Sequence, residues 1–188
     1  MKVDLAALAE SFFIKGKNII LSQVNNFIKR KYDIKKEELL QEIEQHPISQ
    51  ELINHTTPSK YMSGVPGSLF AFIGFDAGSS PVEDLIKFMR KNIRFIPAKT
   101  LNFRGDTKVF LSIPSLKDIH PYFPLPWAPG ESWVSGIEEG ISGLGFFLSK
   151  KSGRSEEGIE VAGNINHAEF QATDYLSSIL EKFKNGIV

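Results

Sequence analysis

A chain of 188 residues, 41% hydrophobic and 23% charged, has enough apolar mass to bury a core unaided, which excludes a disordered chain and points to one compact, soluble domain. Its 22 Lys and Arg balance 22 Asp and Glu, so bulk charge provides no general attraction for nucleic acid. It contains no cysteine, which excludes disulfide scaffolds, thiolate metal centres and thiol nucleophiles.

The opening Met1-Lys2-Val3-Asp4-Leu5 has the pattern of neither a secretory signal nor a transit peptide, so synthesis and folding in a cytoplasm are expected. Leu8, Phe12, Phe13, Ile19, Ile20, Val24, Phe27 and Ile28 then recur at steps of three and four, predicting an amphipathic helix over about 3–31 with Gly16 inside it. A second helix is expected from a cap at Asp33 through Leu39, Leu40 and Ile43 until Pro47 stops it. Residues 54–68 are rich in Thr, Ser, Pro and Gly and read as a loop. The organisation is therefore an N-terminal helical segment over 1–55 and an α+β body over 56–188, together forming one compact domain.

Leu69 to Phe75 is the longest apolar run, far short of the roughly 20 residues of a membrane span, and reads as a buried strand. Gly78-Ser79-Ser80-Pro81 is a turn with a first-position proline before a helix over 82–92, and the runs 94–103 and 108–113 form a hairpin. Pro121 to Pro129 reads as an extended crossing loop carrying Tyr122, Phe123 and Trp127. Trp133 to Leu148 follows as a long strand after one helical turn, paired through a polar turn at 150–155 with a returning strand at 158–162. Thr173 is the expected cap of a closing helix whose inner face is Tyr175, Leu176, Ile179, Leu180 and Phe183. The fold class this order specifies is α+β: an antiparallel sheet with a long hairpin, helices packed on it, and a helical N-terminal segment.

Catalytic, metal and cofactor patterns are not found. No two of His46, His55, His120 and His167 stand at helical ligand spacing, and Gly140-Ile141-Ser142-Gly143 misplaces the second glycine of a nucleophile elbow. The adjacent Glu138-Glu139 would point to opposite faces of a strand and reads as solvated charge, tolerant of replacement by Lys without loss of monomer stability. Gly143-Leu144-Gly145 lacks the third glycine of a dinucleotide loop, and Arg104-Gly105-Asp106 is turn chemistry. Residues 61–117 carry eight basic against four acidic residues, and 118–188 five against ten, a division suited to complementary self-association. Aromatics in Pro- and Gly-rich sequence, Trp127 and Trp133 above all, are of the type that either anchors interfaces or covers the edge of the domain's own core, with Trp133 expected to be needed for folding and Trp127 for assembly. Glu138, Glu139, Lys151 and Arg154 complete the candidate contact residues, with the 150–157 turn expected to be ordered by a neighbour.

The strings Leu125-Pro126-Trp127, Gly130-Glu131-Ser132-Trp133, Gly136-Ile137-Glu138-Glu139-Gly140-Ile141, Ser152-Gly153-Arg154-Ser155-Glu156-Glu157-Gly158-Ile159 and Tyr175-Leu176-Ser177 resemble those of the neck and tail-completion proteins of tailed bacteriophages. The likeness covers about 60 residues well and 46–75 more loosely; Glu156-Glu157 and Glu160 depart from the family pattern. It implies a non-enzymatic virion protein, assembled in the host cytoplasm into a ring, six-fold by expectation. That ring would join the head connector to the tail tube, with DNA passing through it without specific binding and with no membrane, cofactor or metal. Two other readings are a small cytoplasmic enzyme using Glu138 with His120 or His167, and a nucleic-acid-binding module built on Lys29–Lys36 and residues 87–108.

Overall fold

The computed structural model describes residues 5–57, 59–60, 62–63, 67–100, 107–140, 169–170 and 172–186. Its first element, α1, is a single helix Leu5–Gln45 of 41 residues, about 60 Å long at 1.5 Å per residue. The break expected at Asp33 does not occur. Instead of capping a new helix, Asp33 accepts a 2.6 Å ion pair from Lys29 one turn earlier, which supports a continuous helix at that point. Gly16 does not interrupt it either. The helix ends where Pro47 opens α2, Pro47–Asn54, with His46 Nδ1 accepting the Ile48 amide as cap.

Burial divides α1. No residue from 14 to 31 is buried, whereas Tyr32, Leu39, Leu40 and Ile43 are 5%, 2%, 3% and 0% exposed. This second half lies in one core with the rest of the chain. It also clasps the C-terminus of α4, Pro81–Asn92: the Tyr32 hydroxyl donates to the Ile93 carbonyl at 2.8 Å, and Lys36 Nζ donates to the Arg90 and Ile93 carbonyls at 2.6 and 2.8 Å. Cations and donors there satisfy carbonyls that a helix end leaves open.

The run expected as a strand at 69–75 is a helix, α3, Leu69–Ile73. Ser68 Oγ accepts the Ala71 amide at its start and Gly74, at φ 85°, terminates it. An apolar run this short has no readable period, so its end chemistry decides its conformation. Trp127 closes over the terminating glycine: its indole N–H donates to the Ile73 carbonyl at 3.0 Å, and a Cβ on Gly74 would lie 3.1 Å from the ring.

Among the described residues, extended structure is divided among three two-stranded antiparallel ladders. Met62–Ser63 (β1) pairs with Glu169–Phe170 (β6), and Arg94–Ile96 (β2) pairs with Phe110–Ser112 (β3) in the hairpin expected there. Pro124–Leu125 (β4) and Ala128–Ser132 (β5) pair across a tight turn, after a short helix α5, Leu116–Ile119, and a 3-10 turn at His120–Tyr122. The expected crossing loop is thus a proline-bearing hairpin, allowed because each strand of a two-stranded ladder is an edge that spares one row of amides. The fold is α+β.

Residues 133–139, expected to lead into a long strand, form helix α6, Trp133–Glu139, with Trp133, Val134 and Ile137 buried at helical steps. The expected strands at 141–148 and 158–162 and the turn between them lie outside the described residues. The closing helix α7, Leu176–Asn185, buries Leu176, Ile179, Leu180 and Phe183 as the periodicity predicts, with Tyr175 fully buried just ahead of it. Thr173 does not cap α7; its amide donates to the Ile137 carbonyl at 3.0 Å. Among the described residues no helix is long and apolar enough to cross a membrane.

Candidate functional site

The six contact residues chosen from sequence separate into three groups. Trp133 is 1% exposed at the centre of the core, with Phe75 and Phe123 edge-on to its ring and Tyr175 tilted against it. It holds the body together and has no surface to offer a partner. Trp127 is half-buried and serves as the clamp over Gly74. Lys151 and Arg154 lie outside the described residues.

The glutamate pair separates because 133–139 is a helix. Glu139 is exposed, whereas Glu138 turns inward and accepts hydrogen bonds from the Ser177 amide at 2.7 Å and the Ser177 hydroxyl at 2.6 Å. Tyr175, at the cap position of α7, gives no side-chain cap, so the Glu138 carboxylate supplies the missing acceptor from a neighbouring helix and sets negative charge against the positive helix end. Interchange of Glu138 with Lys therefore carries a stability cost that the strand reading did not foresee. The sequence signal for this was the lack of a good capping residue immediately before Leu176.

Beside that tie lies a small polar group inside the core. The Tyr175 hydroxyl shares a 2.7 Å hydrogen bond with Ser49 Oγ, and the His46 ring packs on Tyr175 with centroids 4.9 Å apart. Burial raises the Tyr175 phenol far above its ordinary range, and burial is also the main influence lowering His46. Both groups are thereby held neutral, the state suited to structural hydrogen bonding in an apolar setting. Tyr32 is pushed up to about 12, again first by burial and then by Asp33.

His120 Nδ1 lies 3.2 Å from Ser135 Oγ, a contact that resembles a nucleophile and its base. A triad also needs a group that orients the imidazole. Among the described residues no carboxylate bonds His120, and both oxygens of Glu138 are engaged by Ser177. His167 lies outside the described residues. Among the described residues no group of three or more His, Asp or Glu is placed to hold a metal.

What sequence reasoning missed lies on α1. Ile14, Ile19, Ile20, Phe27 and Ile34 are 51%, 61%, 54%, 60% and 61% exposed, although the recurrence that includes Ile19, Ile20 and Phe27 reads as a buried face. Scattered exposed apolar residues are ordinary, but Ile20, Phe27 and Ile34 recur at seven-residue steps along one face of the helix, which scattered residues do not. The basic stretch Lys29–Lys36 and residues 87–100 stand side by side here, joined by the α1 clasp on α4 and by Asn25, whose side-chain amide exchanges two 2.9 Å hydrogen bonds with the Ala98 backbone. Several of these cations are internally paired, Lys29 with Asp33, Lys35 with Glu38 and Arg90 with Glu37.

The described residues thus place an apolar, positively flanked helix beside a short hairpin, carried by a body whose polar side chains are largely tied to one another. No family model, curated protein or solved structure matches the chain.

Proposed function

We propose that this protein is a structural component of a tailed-bacteriophage virion, a neck or tail-completion protein that assembles as a ring joining the tail to the head connector. The observation that carries this reading is the job done by the residues that bear the resemblance. Trp127 clamps α3, Trp133 centres the core, Glu138 ties α6 to Ser177, and Tyr175 locks α7 onto α2. These are scaffold duties, as expected where a family's shared pattern preserves a shape and not a reaction. The exposed apolar row on α1 supports the same reading, since it leaves the body complete and one long helix still uncovered.

The test is mass spectrometry of purified particles together with imaging of their necks. The chain is expected in every particle at fixed stoichiometry, with density at the head–tail joint. Its absence from particles, with the chain abundant in infected cells, would leave the enzyme reading or the nucleic-acid reading to be pursued instead.

A further inference from the structure

Ile20, Phe27 and Ile34 stand seven residues apart on α1 and are each more than half exposed, at 54%, 60% and 61%. Seven residues are two turns, so the three side chains stack on one face, the repeat that a packing partner reads as a seam. At 3.6 residues per turn this face lies roughly opposite that of Tyr32, Leu39 and Ile43, which enter the core. The seam borders a groove of about 570 Å³ between α1 and β3 lined by Phe27, Ile34, Val109 and Leu111, with Lys31 and Lys35 also facing it.

Charge identifies the occupant. Segments 14–38 and 87–100, which the α1 clasp holds together, contain twelve Lys and Arg against three acids, leaving ten basic against nineteen acidic residues in the rest of a chain of zero net charge. We infer that the outer face of α1 and the β2–β3 ladder is the docking site for a second copy of this chain, presented through the more acidic remainder of its surface. Asp118, Glu131 and Glu139 of that remainder are exposed, and Tyr122, 66% exposed, follows Asp118 closely in the chain. The seam is aliphatic and phenyl, and several neighbouring lysines are already matched by acids of the same subunit, so a protein surface satisfies it better than a phosphate backbone does. Because the two faces differ, the contact is head-to-tail, the kind that closes into rings. The inference deepens the assembly reading above and rests on its self-associating part.

The experiment compares the full chain with the Ile20→Glu/Phe27→Glu double variant and with Ile53→Glu, a control at an apolar side chain exposed on α2, by sedimentation velocity over a concentration series. The expected result is association of the wild type, weakened by about tenfold or more in the double variant with its circular dichroism and melting temperature retained, and unchanged in the control. Association should also weaken between about 0.05 and 0.5 M salt, as steering between opposite faces is screened. Should the double variant melt early, Phe27→Ser alone carries the same comparison. A wild type that is monomeric throughout, or a double variant that associates normally, overturns the inference. So does a monomeric wild type that binds a DNA duplex and loses it on Lys31→Glu/Lys35→Glu, which would make nucleic acid the occupant. Phe27→Glu protein incorporated normally into particles defeats this surface while sparing the virion reading; normal association of a chain absent from particles does the reverse.

Discussion

The two halves of α1 share a helical recurrence of apolar residues and differ in what covers them. Beyond Tyr32 the helix buries Leu39, Leu40 and Ile43 against α4 and α7, clasps two carbonyls of the α4 terminus, and is pinned to α7 by the Lys182–Glu42 pair. Before Tyr32 it presents Ile14, Ile19, Ile20 and Phe27 to solvent, and Asn25 reaches the backbone beyond β2. The difference teaches that a helical period names a face without saying whether the same chain will cover it. Tertiary packing holds the second half; intrinsic propensity, and by our inference a neighbouring subunit, must hold the first.

The largest contrast is available by truncating one apolar side chain in each half. Ile43→Ala removes a fully buried side chain at the junction of α1 with the core and should cost about 2–5 kcal/mol, read as a lower urea midpoint. Phe27→Ala should change the monomer by no more than about 0.5 kcal/mol. Comparable losses at the two sites would show that the first half is packed in solution after all and would erase the division.

That division also explains how much the sequence revealed. Long elements with many periodic positions were legible: both halves of α1, the helix after Pro81, and the inner face of α7. Elements fixed by a few end groups were not. Leu69–Ile73 and Trp133–Glu139 carry too few residues to display a period, so a serine cap, a positive-φ glycine and burial at positions 133, 134 and 137 decided them. Asp33 looked like a cap because its side chain suits one, and became a mid-helix ion-pair partner because Lys29 stands one turn back. At the candidate site, Trp133 was legible as a ring the fold needs buried, whereas the clamp of Trp127 on Ile73 was not, since sequence does not say which side of a proline-rich hairpin faces the core. The Glu138 tie required knowing that α6 is a helix and that α7 lacks its own cap.

A smaller effect is expected at that tie, which holds α7 in place for the packed half of α1 to rest on. Glu138→Ala removes both hydrogen bonds to Ser177 and should cost about 1–3 kcal/mol, within the range of charge-assisted bonds and helix caps. Glu139→Ala, one position on and exposed, should leave stability unchanged within about 0.5 kcal/mol. Equal melting temperatures for the two variants would return the pair to the status of solvated charge.

The packed half ends at a group that titrates. His46 Nδ1 accepts the Ile48 amide, and burial lowers its pKa while Glu42 and Glu138 oppose that shift and Lys182 reinforces it. A folded pKa below the unfolded value of about 6.5 means that the unfolded chain takes up the proton first, so this contribution is complete above that pH and is lost as pH falls through the folded value. The urea midpoint should therefore decline from pH 7.5 to 5.5, and His46→Asn, which keeps a capping acceptor but cannot titrate there, should flatten the decline. Parallel pH profiles for the two proteins would mean that the ring is indifferent to its protonation.

The smallest global effect belongs to Gly16, and its interest is where the effect is felt. A glycine inside a helix costs roughly 0.5–1 kcal/mol relative to alanine, and a Cβ at this position meets nothing within 4 Å, so Gly16→Ala adds helix propensity without adding a contact. In a helix packed throughout, that gain would reach the whole domain as a higher melting temperature. In a helix whose first half frays independently, it stays local, because unfolding of the body depends little on a stretch that buries no side chain in the core. Gly16→Ala is thus expected to slow amide exchange around residues 12–24 of the monomer while leaving exchange of the Leu39–Ile43 amides and the global melting temperature where they were. Once a second copy covers the first half, the same substitution should no longer alter exchange there, because the partner then supplies the order that propensity supplied alone. A uniform rise in protection along all of α1 in the monomer would show that the helix is a single cooperative unit and that its exposed row is carried by the body.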